Sequence, residues 1–415
     1  MYWLSPLNNG FSPEHKRVLQ ELTIQESSPG TILCDFETLL DYIREGDFSI
    51  TGMHQLRLRV LSEINANLAH PIQLGLKRPQ QKSYPHINGL YLLVRASGLT
   101  FVGGTGKKPL LHVDEVVYRL WAGLNPTERY GILLETWLMR GKPEIIGERG
   151  GRLVSIPENF REWVDFFSLV PDEGLQVAGS SDAEYRLRYT PGWYNLGLLE
   201  LFGLISVQHG SPEAGKGWRI ERIYRTQLGA ALLALLHSEF FGDFDKILEL
   251  DCEEGVPFSV LKPVLQPYLS EWKKDLPVPE WTFREGTHIF KASLGRIWRR
   301  IAVPAHQTLD RLAYAILNAF EFDHDHLYQF SYENRFGSLE RVYHPDMDEG
   351  TFGDEVLVGD VALRIGQTMD YLFDFGDWWE FDVTLEQVDR DMVVKGSAIL
   401  ETHGQPPEQY PQWDD

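Results

Sequence analysis

Residues 288–320 read HIFKASLGRIWRRIAVPAHQTLDRLAYAILNAF, and this stretch decides the class of the C-terminal fold. HIFKASL and WRRIAVP are rich in branched and aromatic residues, and Pro304 stands at the end of the second, which predicts two strands. The next residues predict a helix with Thr308 as its N-cap and Leu309, Leu312, Ile316, Ala319 and Phe320 as its apolar stripe. Working outward, LYQFSY (327–332) returns to strand. TMDYLFDFGDWWEFDVTLEQV (368–388) predicts a hairpin that turns at Asp374–Asp377 around Gly376. The expectation for 286–415 is a compact α+β domain of β-β-α-β type, β-grasp-like.

Upstream the periodicity changes. Phe36, Leu39, Leu40 and Ile43 repeat at helical spacing, and Leu56 to Leu68 do the same. After a Lys-, Gln- and Pro-rich loop (77–85), a helix over Asn88–Ser97 is expected to stop near Gly98. Two short strands, LTFV and PLLHV, flank the loop GGTGKK, and helices follow from about Trp121. The same order recurs later. A helix over Tyr194–Leu201 ends near Gly203, the strands LISVQ and GWRIERIYR flank HGSPEAGK, and LGAALLALL continues as helix. Helix then hairpin is the end of a winged helix. The expected organisation is therefore a leader (1–30), a mainly helical winged-helix-like module (31–142), a second such module (143–240), a Pro-rich helical linker (241–285) and the α+β domain.

The 415 residues include 39 Lys+Arg against 60 Asp+Glu, a net charge of -21. From Glu285 onward there are 25 acidic and 10 basic residues, against 35 and 29 before it. This imbalance excludes a general nucleic-acid coat and confines any phosphate contact to a local patch in the first two-thirds. Two isolated cysteines, Cys34 and Cys252, exclude a disulfide framework and a Cys-based zinc site. No run approaches the roughly 20 apolar residues of a membrane span, and no secretory signal pattern opens the chain. The expected setting is cytoplasmic, without membrane contact.

Two constellations carry candidate chemistry. Asp374, Asp377 and Glu380 stand at spacing three beside a turn, with Trp378 and Trp379 between them, and His324, Asp325 and His326 follow the predicted helix. Carboxylate and imidazole together suit a divalent metal, with His326, Asp374, Asp377 and Glu380 as ligands and activated water as the chemistry. The plainer expectation is turn-forming Asp, aromatic strand faces and an ion-pair network with Arg299 and Arg300. The second constellation is basic. Lys77, Arg78, Lys82, Arg95, Lys107 and Lys108 surround the first helix–hairpin, with Arg95 in its recognition helix, and Arg219 and Arg222 decorate the second. These are the candidate nucleic-acid contacts. The DFG at 374–376 has no kinase Gly-rich loop or catalytic loop before it, and GGTGK fails the P-loop spacing.

IWRRIAVP, FDHDHLYQF, YLFDFGDWWEFDVTLE and HGQPPEQYPQWDD resemble, in order, the plasmid pRiA4b ORF-3-like family over about residues 288–413. The resemblance implies a prokaryotic α+β domain, mostly without assigned activity. It also implies an association with mobile DNA, since some members are named as passenger proteins of insertion sequences. Where members commonly read HLHQF, Tyr328 replaces the second His; where many read WEH, Phe381 stands. Two imidazoles are thus missing from the metal expectation. The leading functional expectation is a non-enzymatic interaction protein with no cofactor, touching DNA through the N-terminal modules or another protein through the C-terminal domain. The alternatives are a metal-dependent enzyme at the acidic/His cluster and an acidic-aromatic protein-binding module anchored by Trp378, Trp379 and Tyr371.

Overall fold

The computed structural model describes residues 10–46, 48–103, 109–148, 163, 165–167, 169–240, 260–278 and 281–410. Lys107, Lys108, Cys252 and residues 241–259 and 279–280 of the expected linker lie outside these. The chain divides into two compact units, one of residues 1–100 and 112–278 and one of residues 101–111 and 279–415.

The first unit is helical, with one small three-stranded sheet wholly its own. Its helices are α1 (Pro13–Gln20), α2 (Ile32–Arg44), α3 (Leu58–Asn67), α4 (Pro85–Ala96), α5 (Glu115–Ala122), α6 (Pro126–Arg140), α7 (Ser181–Tyr189), α8 (Trp193–Leu201), α9 (Gln227–Phe240) and the single turn α10 (Lys262–Leu265). Strand β1 (Phe48–Ser49) belongs to this unit, while β2 (Thr100–Gly103) and β3 (Leu110–Val113) form a hairpin whose residues 101–111 belong to the second unit. The strands β4 (Leu175–Gln176), β5 (Ile205–His209) and β6 (Ile220–Arg225) form the first unit's own sheet in the order β4-β6-β5. Both helix–hairpin–helix successions expected from the sequence are present.

Their packing corrects one expectation. All 12 residues of α4 are buried, because its sequence, PHINGLYLLVRA, is apolar on nearly every face. Helix α4 is therefore the axis of the unit's core, and it presents no face to a groove. It crosses α8, the corresponding helix of the second module, through a pair of glycines. A Cβ on Gly89 would lie 2.6 Å from Leu198 Cγ, and one on Gly197 would lie 2.8 Å from the Pro85 carbonyl carbon. The two expected modules thus share a core. Beside α4, helix α6 starts at a capping box in which Asn125 and Glu128 exchange hydrogen bonds of 2.9 Å, and its Trp137 donates to Asn195 Oδ1 of α8 at 2.9 Å.

The second unit is an α+β domain around an eight-stranded sheet. Its strands are β7 (Thr287–Leu294), β8 (Ile297–Pro304), β9 (Tyr328–Glu333), β10 (Leu339–Tyr343), β11 (Thr351–Phe352), β12 (Thr368–Phe373), β13 (Trp379–Asp389) and β14 (Ala398–His403). They run in the order β11-β10-β9-β12-β13-β7-β8-β14. Helix α11 (Leu309–Ala319) follows β8, and Thr308 caps it by accepting from Arg311 N at 3.3 Å. Its stripe of Leu309, Leu312 and Ile316 joins Phe290, Ile301, Phe330, Tyr371 and Phe381 of the sheet in one apolar core. The β-β-α-β opening matches the expectation, and β10, β11 and β14 extend the sheet beyond it.

Gly197→Ala is expected to cost about 2–3 kcal/mol of stability in urea unfolding, and Gly89→Ala less. The added methyl meets rigid backbone at Gly197 but the movable Leu198 side chain at Gly89.

Candidate functional site

The turn between β12 and β13 is built from two residues that rarely adopt its conformation. Asp374 and Trp378 both have φ of +59°, where a bulky L residue is crowded. The closing bonds show why they stay there. Asp374 Oδ1 accepts from Gly376 N at 2.8 Å, Trp378 N donates to Asp374 O at 2.7 Å, and Asp374 N donates to Leu327 O at 3.0 Å. Asp374 is consequently 6% exposed, and the turn pushes Trp378 outward to 60% exposure, with Phe375 at 39%.

The segment after α11 does approach this turn. His326 Nε2 lies 3.5 Å from Asp374 Oδ2 and 3.8 Å from Asp325 Oδ1. His324 turns away, stacking on Tyr314 at 4.0 Å and bonding Asn318 at 3.2 Å. Asp377 and Glu380 are exposed. Among the described residues, no three His, Cys, Asp or Glu side chains are grouped to hold a metal ion. The expected ligand set of His326, Asp374, Asp377 and Glu380 therefore reduces to one His–Asp pair. Asp374 gives one carboxylate oxygen to its own turn and turns the other toward His326, while the exposed Asp377 and Glu380 do not join them. Tyr328, at the position of the second family His, donates to Asp310 Oδ1 at 2.9 Å, and burial beside Asp310 pushes its hydroxyl far above the usual range. Phe381 lies in the core.

The expected partnership of Arg299 and Arg300 with the turn carboxylates is also corrected. Arg299 is buried and donates to Ala319 O, at the end of α11, at 2.7 Å. Arg300 pairs with Glu386 at 2.6 Å and with Glu401.

The C-terminal tail closes over the His324–His326 segment. Gln409, 7% exposed, accepts from Asp323 N at 2.6 Å and donates to the Tyr410 hydroxyl at 2.9 Å. That hydroxyl donates to Asp325 at 2.9 Å, and partial burial together with this carboxylate pushes it up to about 12. Phe375 and Trp378 thus project from the turn beside the exposed Asp377, and the 44% exposed Tyr410 meets Asp325 next to it.

The basic candidates separate by environment. Arg95 is 2% exposed and donates to Tyr91 Oη at 3.2 Å, so it is withdrawn from any nucleic-acid surface by the burial of α4. Arg219 pairs with Glu184 and, at 3.4 Å, with Glu213. Arg222 donates to Gln176 Oε1 at 2.7 Å and to Glu173 O at 3.1 Å. Lys77, Arg78 and Lys82 are exposed, with no carboxylate paired to them among the described residues.

A further cluster escaped the sequence. Glu200 of α8 accepts from both sides, with His86 Nε2 of α4 at 2.7 Å and His209 Nε2 of β5 at 3.0 Å. Trp218 Nε1 donates to His209 Nδ1 at 3.1 Å, which leaves the His209 proton on Nε2, facing Glu200. Burial alone would raise the Glu200 carboxyl, but the hydrogen bonds from His209 and His86 outweigh it and hold the group at about 2. Glu200, His209 and Trp218 line a pocket of about 640 Å³ with His70, Gln73 and Ser211. These residues are 132 positions apart in the chain at the extremes, from His86 to Trp218, and share no motif.

The geometry defines the C-terminal unit as an α+β domain with an acidic-aromatic surface turn. Residues 290–410 match the family model described as Plasmid pRiA4b ORF-3-like protein, so that unit carries a domain of this family. A crystal structure of a protein of unknown function from Methanosarcina mazei Go1 is similar at 27% identity, covering 30% of this chain and 72% of that one, with a TM-score of 0.26. No curated protein matches the chain.

Because the Glu200 carboxyl is held below its ordinary 4.5, its charge stabilises the fold fully above about pH 4.5, and that contribution is lost as pH falls toward 2. Glu200→Gln is expected to lower stability at pH 7 by up to about 3 kcal/mol. In urea titrations at decreasing pH, the gap between the two proteins is expected to narrow below about pH 4.5.

Proposed function

We propose that the protein is a non-enzymatic interaction protein whose C-terminal unit docks a basic segment of another protein. The observation that carries this is the Trp378 side chain, 60% exposed on a turn whose left-handed residues are locked by Asp374. Strained backbone persists where surrounding contacts over-determine it, and such sites concentrate at functional surfaces. An exposed, rigidly presented Trp is the commonest kind of interface anchor. Tyr410 and Phe375 widen the apolar area, while Asp325, Asp377 and Glu380 supply the sign that selects a basic partner. The β-β-α-β opening supports a β-grasp-like scaffold beneath this surface. The expected setting is the cytoplasm of a prokaryote.

Full-length protein with Trp378→Ala is expected to lose at least about tenfold in affinity for proteins it captures, a hot-spot loss of ~2 kcal/mol. Asp377→Lys with Glu380→Lys is expected to weaken capture in a salt-dependent way. Capture by quantitative pull-down that is unchanged by both variants removes this proposal.

A second reading is favoured by Lys77, Arg78 and Lys82, which stay exposed beside a helix–hairpin of winged-helix-like order. They support a local phosphate contact and agree with an association with mobile DNA. Mobility shifts across a salt series test it, with binding expected to weaken as salt rises. No binding at low salt, or binding indifferent to replacing all three with Glu, rejects it.

A further inference from the structure

The second unit contains a pocket whose chemistry opposes that of its surroundings. It measures about 550 Å³ and is lined by Trp281, Thr282, Phe283, Arg284, Glu285 and Arg390. The sequence from Glu285 onward carries 25 acidic and 10 basic residues. Even so, among the described residues no carboxylate pairs with either guanidinium of this pocket. Its own Glu285 is engaged by His306 at 3.2 Å.

Arg284 is held in place without an acid. Its backbone N donates to Gly359 O at 2.9 Å, Nη1 donates to Leu363 O at 3.1 Å, and the guanidinium lies 4.6 Å from the Trp281 ring centroid. Phe283 is seated by the absence of a side chain opposite it, since a Cβ on Gly359 would lie 2.5 Å from its ring. Trp281 Nε1 is a buried N–H with no acceptor among the described residues. The neighbouring charges act in the same sense. Burial and the charge of Arg364 lower Arg284, while burial and the charge of Arg284 hold His288 at about 4. Donors therefore outnumber acceptors around a locally positive cavity.

We propose that this pocket binds the phosphate group of a small organic phosphate monoester. A guanidinium fork matches phosphate oxygens in pairs. A phosphate has oxygens enough for the guanidinium groups of both Arg284 and Arg390, which line the pocket together. The volume selects an ester over the free ion. At about 30 Å³ for a water molecule, inorganic phosphate fills only a fraction of the space, and Trp281 and Phe283 offer apolar wall to the remainder.

The test is calorimetric titration of the full chain with AMP and with inorganic phosphate, at constant ionic strength. Both are expected to bind saturably, AMP at least about tenfold tighter, and Arg390→Gln at the exposed rim is expected to weaken both by about tenfold. Arg284→Lys, which keeps the charge but loses the fork, is expected to weaken both probes as well, with its unfolding midpoint reported alongside. Absence of binding for both probes up to about 10 mM, or binding that survives both substitutions, overturns the proposal. Equal affinity for AMP and inorganic phosphate overturns the assignment to an ester.

Discussion

The close crossing of α4 and α8 governs the N-terminal unit. Two backbones approach at Gly89 and Gly197 where any larger residue would collide, and everything nearby inherits that geometry. Helix α4 is buried on all sides because α8 covers the face that would otherwise meet solvent. Arg95 is buried with it and is satisfied internally. His86, near the start of α4, is brought within 2.7 Å of Glu200 near the end of α8. The carboxylate is thus brought to His86 by helix packing and to His209 by the neighbouring strand, and the two imidazoles hold it low against its burial.

The C-terminal unit uses a different constraint. Helix α11 lies on the sheet and delivers the segment 321–328 to the β12–β13 turn. Asp374 then has several demands on it: its carboxylate accepts from Gly376 N and faces His326, and its backbone carbonyl accepts from Trp378 N. The tail residues Gln409 and Tyr410 complete the surface from the far end of the sequence.

Much of this was legible in the sequence, and the exceptions share a cause. The strands at 288–304, the Thr308 cap, the turn at Asp374 and both helix–hairpin successions follow from local periodicity and turn chemistry, which a linear sequence displays directly. Environment does not show in the same way. Arg95 looks like a recognition-helix cation until α8 is known to lie across α4. Arg219 and Arg222 look like phosphate contacts until Glu184, Glu213 and Gln176 are brought to them. His86, Glu200, His209 and Trp218 have no spacing that announces them, because only tertiary packing unites them. The pairing of Arg300 with Glu386 and Glu401, in place of the turn acids, is likewise set by strand order.

The two ends of the eight-stranded sheet differ in how they stop. At one end β11 is only two residues long and pairs in parallel with β10. At the other, β14 carries a register irregularity between Ile399 and Glu401, and Glu401 pairs across the strands with Arg300. Ile399 and Leu400 are 50% and 41% exposed there, so an unbroken β14 would be an adhesive edge. The irregularity and the ion pair interrupt the ladder that an incoming strand would need. The exposed aromatics Phe375 and Trp378 thus sit on the turn of this domain, away from the two edges of its sheet.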